Sequence, residues 1–384
     1  MTVGVDGRDA TPVFQIPIYP FERLRQVRSI AAASHEEVVD LSIGTPVDAP
    51  SPEVLEILGA SGRERGYPPS PGSEELRSAI AHWLKRSFGA DCDRDDVTVT
   101  IGSKEFITSL PGYLRLLRPE RNVVLYPEIS YPSYAMGALL HQCEAYPVRV
   151  GSGGELLLDS VPTEIAQRSL VLWVNTPSNP TGQCTDLTDA LDWAQRNGAV
   201  LASDECYSDF IWDGPRYSVL QLAQEGVLAV HSLSKRSNLA GLRLGSVSGD
   251  PELVRQLSDL RRHAGMMVPG PIQSAGVWAY SHDELVGDQR RRYRERLVLL
   301  RDALVKMGFA VQLPQGGFYL WFRGPEGRFR DGFEVAEFLA RHGGIVGSPG
   351  EFYGSSVGDY LRLAVVATTD VISRIVERLS AVSL

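Results

Sequence analysis

VLAVHSLSKRSNLAGLRLG, residues 227–245, is the stretch on which the reading of this chain depends. Residues 227–230 are an apolar run of the kind that forms a buried strand. The run gives way to a polar turn carrying Ser232, Ser234 and Lys235, and a glycine-punctuated segment then leads to Arg243. A partly desolvated lysine loses its charge easily, so at the mouth of a strand it is a nucleophilic amine suited to condensing with an aldehyde. Two hydroxyls and a planar guanidinium beside it are the donors that a phosphate needs. Pyridoxal 5'-phosphate carries both an aldehyde and a phosphate. A Ser-x-Ser-Lys turn is also, in most proteins, only a turn, and the neighbouring motifs have to decide.

Outward from this stretch, strands and helices alternate. VTVTIG (97–102) reads as a strand, Gly102-Ser103-Lys104 as a turn, and residues 105–117 as a helix whose free amides make a natural phosphate seat. Further strands follow at NVVLYP (122–127), EAYPVRV, SLVLWVN (169–175) and AVLASDECY (199–207), with a helix over 186–196. Tyr131 and Tyr134 flank a turn entering a helix, and NTPSNPTG stiffens the turn that holds Asn179. Such alternation predicts an α/β fold with a mostly parallel central sheet and helices on both faces. Right-handed crossovers then place Gly102, Tyr131, Asn179, Asp204 and Lys235 along one edge of the sheet.

The flanks are less regular. Residues 1–20 read as an extended arm, 21–33 as a short helix, and VVDLSIGTP as a strand broken at Gly44, where the missing side chain permits close approach. Tyr67 sits on a loop stiffened by Pro68, Pro69 and Pro71. Ser73 followed by Glu74 and Glu75 starts a helix with Leu76, Ile80, Trp83 and Leu84 on one face. Beyond Gly249 come a helix over 251–263 and a helical stretch over 273–307, in which the basic segment QRRRYRERL reads as a solvated face. FAVQLP and GFYLWF as strands, FEVAEFLARH as a helix, YLRLAV as a strand and a helix from Thr369 indicate a small α+β domain. The expected division is an arm and part of the small domain over 1–45, a large cofactor-binding domain over 46–265, and a small C-terminal domain over 266–384.

Composition narrows the function. The 384 residues are 43% hydrophobic and 22% charged, and the net charge of -9 argues against nucleic-acid or anionic-membrane partners. Cys92, Cys143, Cys184 and Cys206 are widely spaced, which predicts buried reduced thiols and neither a disulfide frame nor a metal site. No secretory signal pattern opens the sequence and no apolar run approaches membrane-spanning length, so a cytoplasmic location is expected.

In SDECY, Asp204 and Tyr207 close a buried strand, and a carboxylate at that depth calls for a cationic partner. A pyridinium nitrogen would serve, with Asn179 and Tyr207 donating to an oxygen on the same ring. This set, in this order, resembles the fold type I pyridoxal-phosphate enzymes, and specifically the class I/II aminotransferases, from IGTP near the start to YLRLAV near the end. The resemblance implies that Lys235 forms the covalent link to the cofactor, Asp204 pairs with its ring nitrogen, and Tyr131 stacks on its face. It implies that the phosphate is held by the amides of Ser103 and Lys104, by Ser232, Ser234 and Arg243, and by Tyr67 of a second subunit in a homodimer. Arg362 would clamp the substrate carboxylate, helped by Gly44 and Asn179.

Within the family, DLSIGTPVD, GSKE, SDECY, HSLSK, AGLRLG, HAGMMVP and PGEFYG are most similar to actinobacterial succinyldiaminopimelate transaminases. That likeness implies an N-succinylated diamino acid as donor and 2-oxoglutarate as acceptor. Arg236, Asn238 and Leu242 depart from a pattern of small residues after the lysine and a tyrosine before the phosphate arginine. These departures bear on the substrate and leave the cofactor site intact. The alternative is a secondary-metabolism enzyme of the same fold catalysing β/γ-elimination, replacement or C–C bond formation, for example on S-adenosylmethionine. Arg236, Arg261, Arg262 and Met266 are the candidates for a substrate wall.

Overall fold

The computed structural model describes residues 16–60 and 66–382, so residues 1–15 of the expected arm lie outside the described part. The first strand, β1 (Val39–Asp40), is two residues long instead of running to Gly44. It stops because Ser42 folds back on the Asp40 carboxylate, donating through its amide (2.9 Å) and its hydroxyl (2.5 Å). Further along lie β2 (Val97–Thr100), β3 (Val123–Pro127), β4 (Glu144–Val148), β5 (Ser169–Asn175), β6 (Val200–Asp204), β7 (Val227–Ser232) and β8 (Gly245–Gly249). They form one sheet in the order β2-β8-β7-β6-β5-β3-β4.

The pairings from β7 through β4 are parallel, and every position of β5, β6 and β7 is buried, as strands covered on both faces must be. The mostly parallel sheet expected from the alternation is therefore present. Its departure is β8, which runs antiparallel to both β7 and β2. The link from β7 to β8 holds only the four-residue helix Leu233–Arg236 and the 3₁₀ turn Ala240–Leu242, too little for a crossover helix that packs on the sheet. The chain instead doubles back, and this return brings Arg243 to the same edge as Lys235.

Helices Glu74–Phe88, Thr188–Asn197 and Gly270–Ser281 cover one face of the sheet. Helices Gly102–Leu117, Ser133–Leu140 and Pro251–His263 cover the other. The first of these starts as its sequence requires: the Ser73 hydroxyl accepts from the Leu76 amide at 3.2 Å, and Leu76, Ile80, Trp83 and Leu84 all turn inward. Each such fully buried aliphatic side chain contributes about 1.5–3 kcal/mol. Helix Gly102–Leu117 begins three residues before the expected start, so Ser103 and Lys104 lie in its first turn and not in a preceding loop.

A second core joins Leu24, Val27 and Ala31 to Leu297, Leu300, Leu304, Leu339 and Ile375. It surrounds β9 (Tyr319–Arg323), β10 (Ile345–Val346), β11 (Ser348–Pro349) and β12 (Tyr360–Ala364). These strands are arranged as an antiparallel β11-β12-β9 sheet and a parallel β1-β10 pair. Several expectations are corrected here. Residues 309–314 bury Phe309 and Val311 without joining a sheet. The helical stretch over 273–307 is two helices, Gly270–Ser281 and Glu284–Lys306, parted where the Asp283 carboxylate takes bonds from Arg236 (2.6 Å) and Arg86 (3.1 Å).

The segment QRRRYRERL is no uniformly solvated face. Gln289, Tyr293, Arg296 and Leu297 are buried, and Arg296 forks onto Asp48 at 2.6 and 2.7 Å. Of the four free cysteines only Cys143 is fully buried, the other three being half-buried. Among the described residues no helix is long and apolar enough to cross a membrane.

Candidate active site

The C-terminal edge of the sheet opens into a cavity of about 500 Å³. Its lining includes Gly44, Ser103, Lys104, Tyr131, Asn179, Asp204, Tyr207, Ser232, Ser234, Lys235, Arg243 and Arg362. Of the residues expected to hold the cofactor and the substrate carboxylate, all are thus brought together except Tyr67. That side chain is 95% exposed and does not reach the cavity of its own chain.

Lys235 sits one turn past the end of β7, and its amine donates to the Gly44 carbonyl. Burial foremost, then the Arg362 and Arg243 charges, pull its pKa down to about 8. Asp204 ends β6 with 5% exposure, and burial pushes its carboxyl up. Its two oxygens accept from the Tyr134 hydroxyl at 2.8 Å and the Cys206 amide at 3.2 Å, both neutral donors that favour the carboxylate. Among the described residues no ion pair engages it, and it lines the cavity.

At one end of the cavity lies an anion seat. The first-turn amides of helix Gly102–Leu117 have no side-chain cap, and Arg243 lies against Gly102, tied to the Ala240 carbonyl at 3.0 Å. Gly102 is at φ +71, and a side chain there would collide with that guanidinium, so glycine is required on both counts. Ser232 and Ser234 complete the seat, their hydroxyls 3.0 Å apart.

At the other end, Arg362 of β12 is 3% exposed. It donates to Asn179 Oδ1 at 2.7 Å and to the Ser42 carbonyl at 2.5 Å, and its guanidinium lies over the Tyr319 and Tyr353 rings at 4.3 and 4.9 Å. Its Nε has no partner among the described residues. A buried guanidinium whose partners are all neutral is a carboxylate receptor in waiting.

Four residues that the sequence reading missed complete the site. Tyr134 bonds Asp204, as above. Asn175, at the end of β5, accepts from the Asn179 amide at 2.7 Å and donates to the Asp204 carbonyl at 2.8 Å, aligning both. Tyr319 bonds the Tyr207 hydroxyl at 2.6 Å, and Cys206 lines the cavity beside Asp204. The polar end of the apolar run SLVLWVN was a usable signal for Asn175; Tyr319 and Tyr134 carried none.

The proposed substrate wall is corrected. Arg236 is buried against Asp209 (3.0 Å), Asp283 (2.6 Å) and the Ala279 carbonyl (2.6 Å), and Arg261 is fully buried and bonds Glu105 at 2.5 Å. Arg262 pairs with Asp259 on an exposed helix face, and Met266 is likewise outside the cavity lining.

An anion seat, a reactive lysine and a carboxylate awaiting a cation fit the phosphate, aldehyde and ring nitrogen of pyridoxal 5'-phosphate. Comparison with known proteins agrees with that chemistry. Residues 36–379 match the family model for aminotransferase class I and II. The chain is 38% identical to the 4-dedimethylamino-4-oxo-anhydrotetracycline transaminase OxyQ of Streptomyces rimosus, covering 95% of this chain and 99% of that one. It is 33% identical to the LL-diaminopimelate aminotransferase of Aquifex aeolicus, over 96% of this chain and 97% of that one. A solved structure titled a probable N-succinyldiaminopimelate aminotransferase from Thermus thermophilus superposes with a TM-score of 0.84 at 28% identity, covering 94% of this chain and 100% of the other. The chain belongs to the class I and II aminotransferases, transferases that depend on pyridoxal 5'-phosphate.

Proposed function

We propose that this aminotransferase takes its amino group from an N-succinylated diamino acid such as N-succinyl-LL-diaminopimelate and passes it to 2-oxoglutarate. The observation that carries the reading is the placement of one reactive amine between two anion receptors, with Arg243 at the phosphate end and Arg362 at the carboxylate end. Similarity to relatives named for diaminopimelates supports the donor.

The bound cofactor supplies an electron sink that makes the α-carbon proton of an attached amino acid acidic. Lys235, its pKa lowered to about 8, gives up its proton far more readily than an ordinary lysine, and would hold the cofactor's aldehyde carbon and carry a proton from the α-carbon and back. Asp204 would pair with a protonated ring nitrogen. Asn179 and Tyr207 would donate to the ring oxygen, and Tyr131 would cover one face. The amides of Ser103 and Lys104 with Ser232, Ser234 and Arg243 would hold the phosphate. Arg362, held by Asn179 and by the Ser42 carbonyl beside Gly44, fixes the carboxylate so that the α-proton points at Lys235.

The exposure of Tyr67 supports its delivery to the phosphate of a second subunit, and hence a homodimer. A cytoplasmic location accords with the reduced cysteines. We place the boundary between the large and small domains near residue 283 and not 265, because Val268, Ala275, Ala279 and Tyr280 pack in the core of the large sheet.

A second reading is favoured by one observation: the 38% identity to OxyQ exceeds the 33% to the diaminopimelate enzyme. Under it the site serves a tailoring reaction on a larger substrate. An absorbance-monitored screen of N-succinyl-LL-diaminopimelate, LL-diaminopimelate and S-adenosylmethionine, with 2-oxoglutarate and glutamate detection, separates the two. Glutamate formed from the succinylated donor supports the first reading. Turnover without glutamate, or release of a leaving group, overturns it.

A further inference from the structure

Tyr319 lies on β9, 2% exposed, on the same face as Trp321, whose register partner across the sheet is Arg362. Its ring carries the Arg362 guanidinium at 4.3 Å, and its hydroxyl meets the Tyr207 hydroxyl at 2.6 Å. The room for that hydroxyl exists because residue 44 is glycine: a side chain there would stand 2.6 Å from the Tyr319 oxygen. Tyr319 therefore touches the groups assigned to the ring oxygen and to the substrate carboxylate, and it abuts the residue whose carbonyl receives the Lys235 amine.

Two phenols share one hydrogen bond here, and each has a single proton to give. Burial pushes Tyr207 well up and Tyr319 up to about 12, so both stay protonated through the working range. If Tyr207 donated to Tyr319, it would offer the cofactor oxygen only a lone pair. If Tyr319 donates to Tyr207, the Tyr207 proton is free to point into the cavity.

We propose that Tyr319 is a positioning residue with two separable duties: its hydroxyl donates to Tyr207 and so commits the Tyr207 proton to the cofactor ring oxygen, and its ring face fixes Arg362 for the substrate carboxylate. The inference rests on the roles given above to Tyr207 and Arg362. The hydroxyl serves the cofactor, and the ring serves the substrate.

Holoenzyme of the wild type, Tyr319→Phe and Tyr319→Leu separates the duties. The readouts are the pH midpoint of the bound cofactor's visible absorbance, the cofactor dissociation constant, and the half-reaction with L-glutamate as probe. The groups facing the phenol pair, namely Asp204, Cys206, Lys235, Arg362, Tyr131 and Tyr353, are the same in all three proteins. A donor on the ring oxygen stabilises its anionic form. In Tyr319→Phe the Tyr207 proton stays available, but the Tyr207 hydroxyl loses the bond that polarises and orients it. The absorbance midpoint should therefore rise by a few tenths of a pH unit and cofactor binding should weaken about twofold, with the apparent dissociation constant for L-glutamate within about threefold of wild type. A fall in the midpoint would mean that Tyr207 had been donating to Tyr319 and overturns the hydroxyl duty. Tyr319→Leu should add a roughly tenfold weakening for L-glutamate. Thermal melting of each variant reports folding separately.

A Tyr319→Phe holoenzyme with unchanged midpoint and cofactor affinity overturns the hydroxyl duty. Equal L-glutamate affinity in the Phe and Leu variants overturns the ring duty. A wild type that binds cofactor but does not react with L-glutamate overturns the proposed acceptor instead, and the absorbance arm still decides the role of the hydroxyl.

Discussion

Lys235 and Arg236 are neighbours in the chain and opposites in the fold. Lys235 turns into the cavity, where its amine meets a backbone carbonyl and, among the described residues, forms no salt bridge with a carboxylate. Arg236 turns away and is enclosed by Asp209, Asp283 and the faces of Trp83 and Tyr280, with its guanidinium 5.1 and 5.2 Å from those rings. The same contrast separates Arg362, whose partners are neutral, from Arg296, which is bidentate to Asp48. Buried cations that are fully paired hold the protein together. Those without a carboxylate partner are the ones we propose to receive a ligand's negative charge or an aldehyde.

Disturbing one member of each set should therefore give different phenotypes. The largest effect is expected for Lys235→Ala, which removes both nucleophile and proton carrier: turnover should fall by about 10⁴-fold, read from steady-state assays, with melting of the cofactor-free protein unchanged or raised. Survival of activity would sink the whole assignment.

Next comes Asp48→Ala. Burial alone pushes the Asp48 carboxyl up, but the Arg296 and Gln289 bonds hold it below its ordinary value, and deleting it strands Arg296 at 2% exposure. Loss of one partner of such a pair costs about 3–5 kcal/mol. Urea unfolding should show that loss, while the fraction that stays folded keeps the wild-type cofactor spectrum.

How far this partition could be read from the sequence depended on range. Lys235, Asp204 and Asn179 fall at or just past the ends of strands marked by apolar runs, and the parallel alternation brings such ends together, whereas Arg243 reaches the same edge through the antiparallel return of β8. Ser73 was legible because a cap acts on its own next turn. Arg236, Arg261 and Arg296 were misjudged because their carboxylates lie 27, 47, 156 and 248 residues away, and no local pattern carries such a pairing. The two-residue strands β10 and β11 are too short for any periodicity to register. The reversal of β8 hides in a link that reads equally well as a crossover.

Cofactor-free protein gives a pH test of the unpaired set. Lys235 has a folded pKa of about 8 against an ordinary value of 10.5. Below pH 8 both folded and unfolded chains carry the proton, and burying the charge is at its most costly. Between pH 8 and 10.5 the unfolded chain binds a proton that the folded chain has shed, so this group makes stability rise with pH across that window. The term is worth up to about 3 kcal/mol. Lys235→Met should accordingly be more stable than wild type at pH 7 by about that amount, and the gap should close by pH 10.5. A gap that does not change with pH would mean that the amine is solvated, and the contrast with Arg236 would fail.

The smallest effect on the fold is expected at Arg362. Arg362→Leu orphans Asn179 Oδ1 and the Ser42 carbonyl, each loss worth about 1–3 kcal/mol, but it also relieves an uncompensated buried charge. The two terms oppose each other, so the variant should lose clearly less stability than Asp48→Ala, although both delete a side chain under 10% exposed. Its defect should appear in catalysis as a KM for the amino donor raised about tenfold or more, with cofactor affinity held, because the phosphate seat at Arg243 lies at the other end of the cavity. If Arg362→Leu instead unfolded as readily as Asp48→Ala and bound substrate normally, Arg362 would belong with Arg296 among the structural cations, and the carboxylate receptor would have to be sought elsewhere in the pocket.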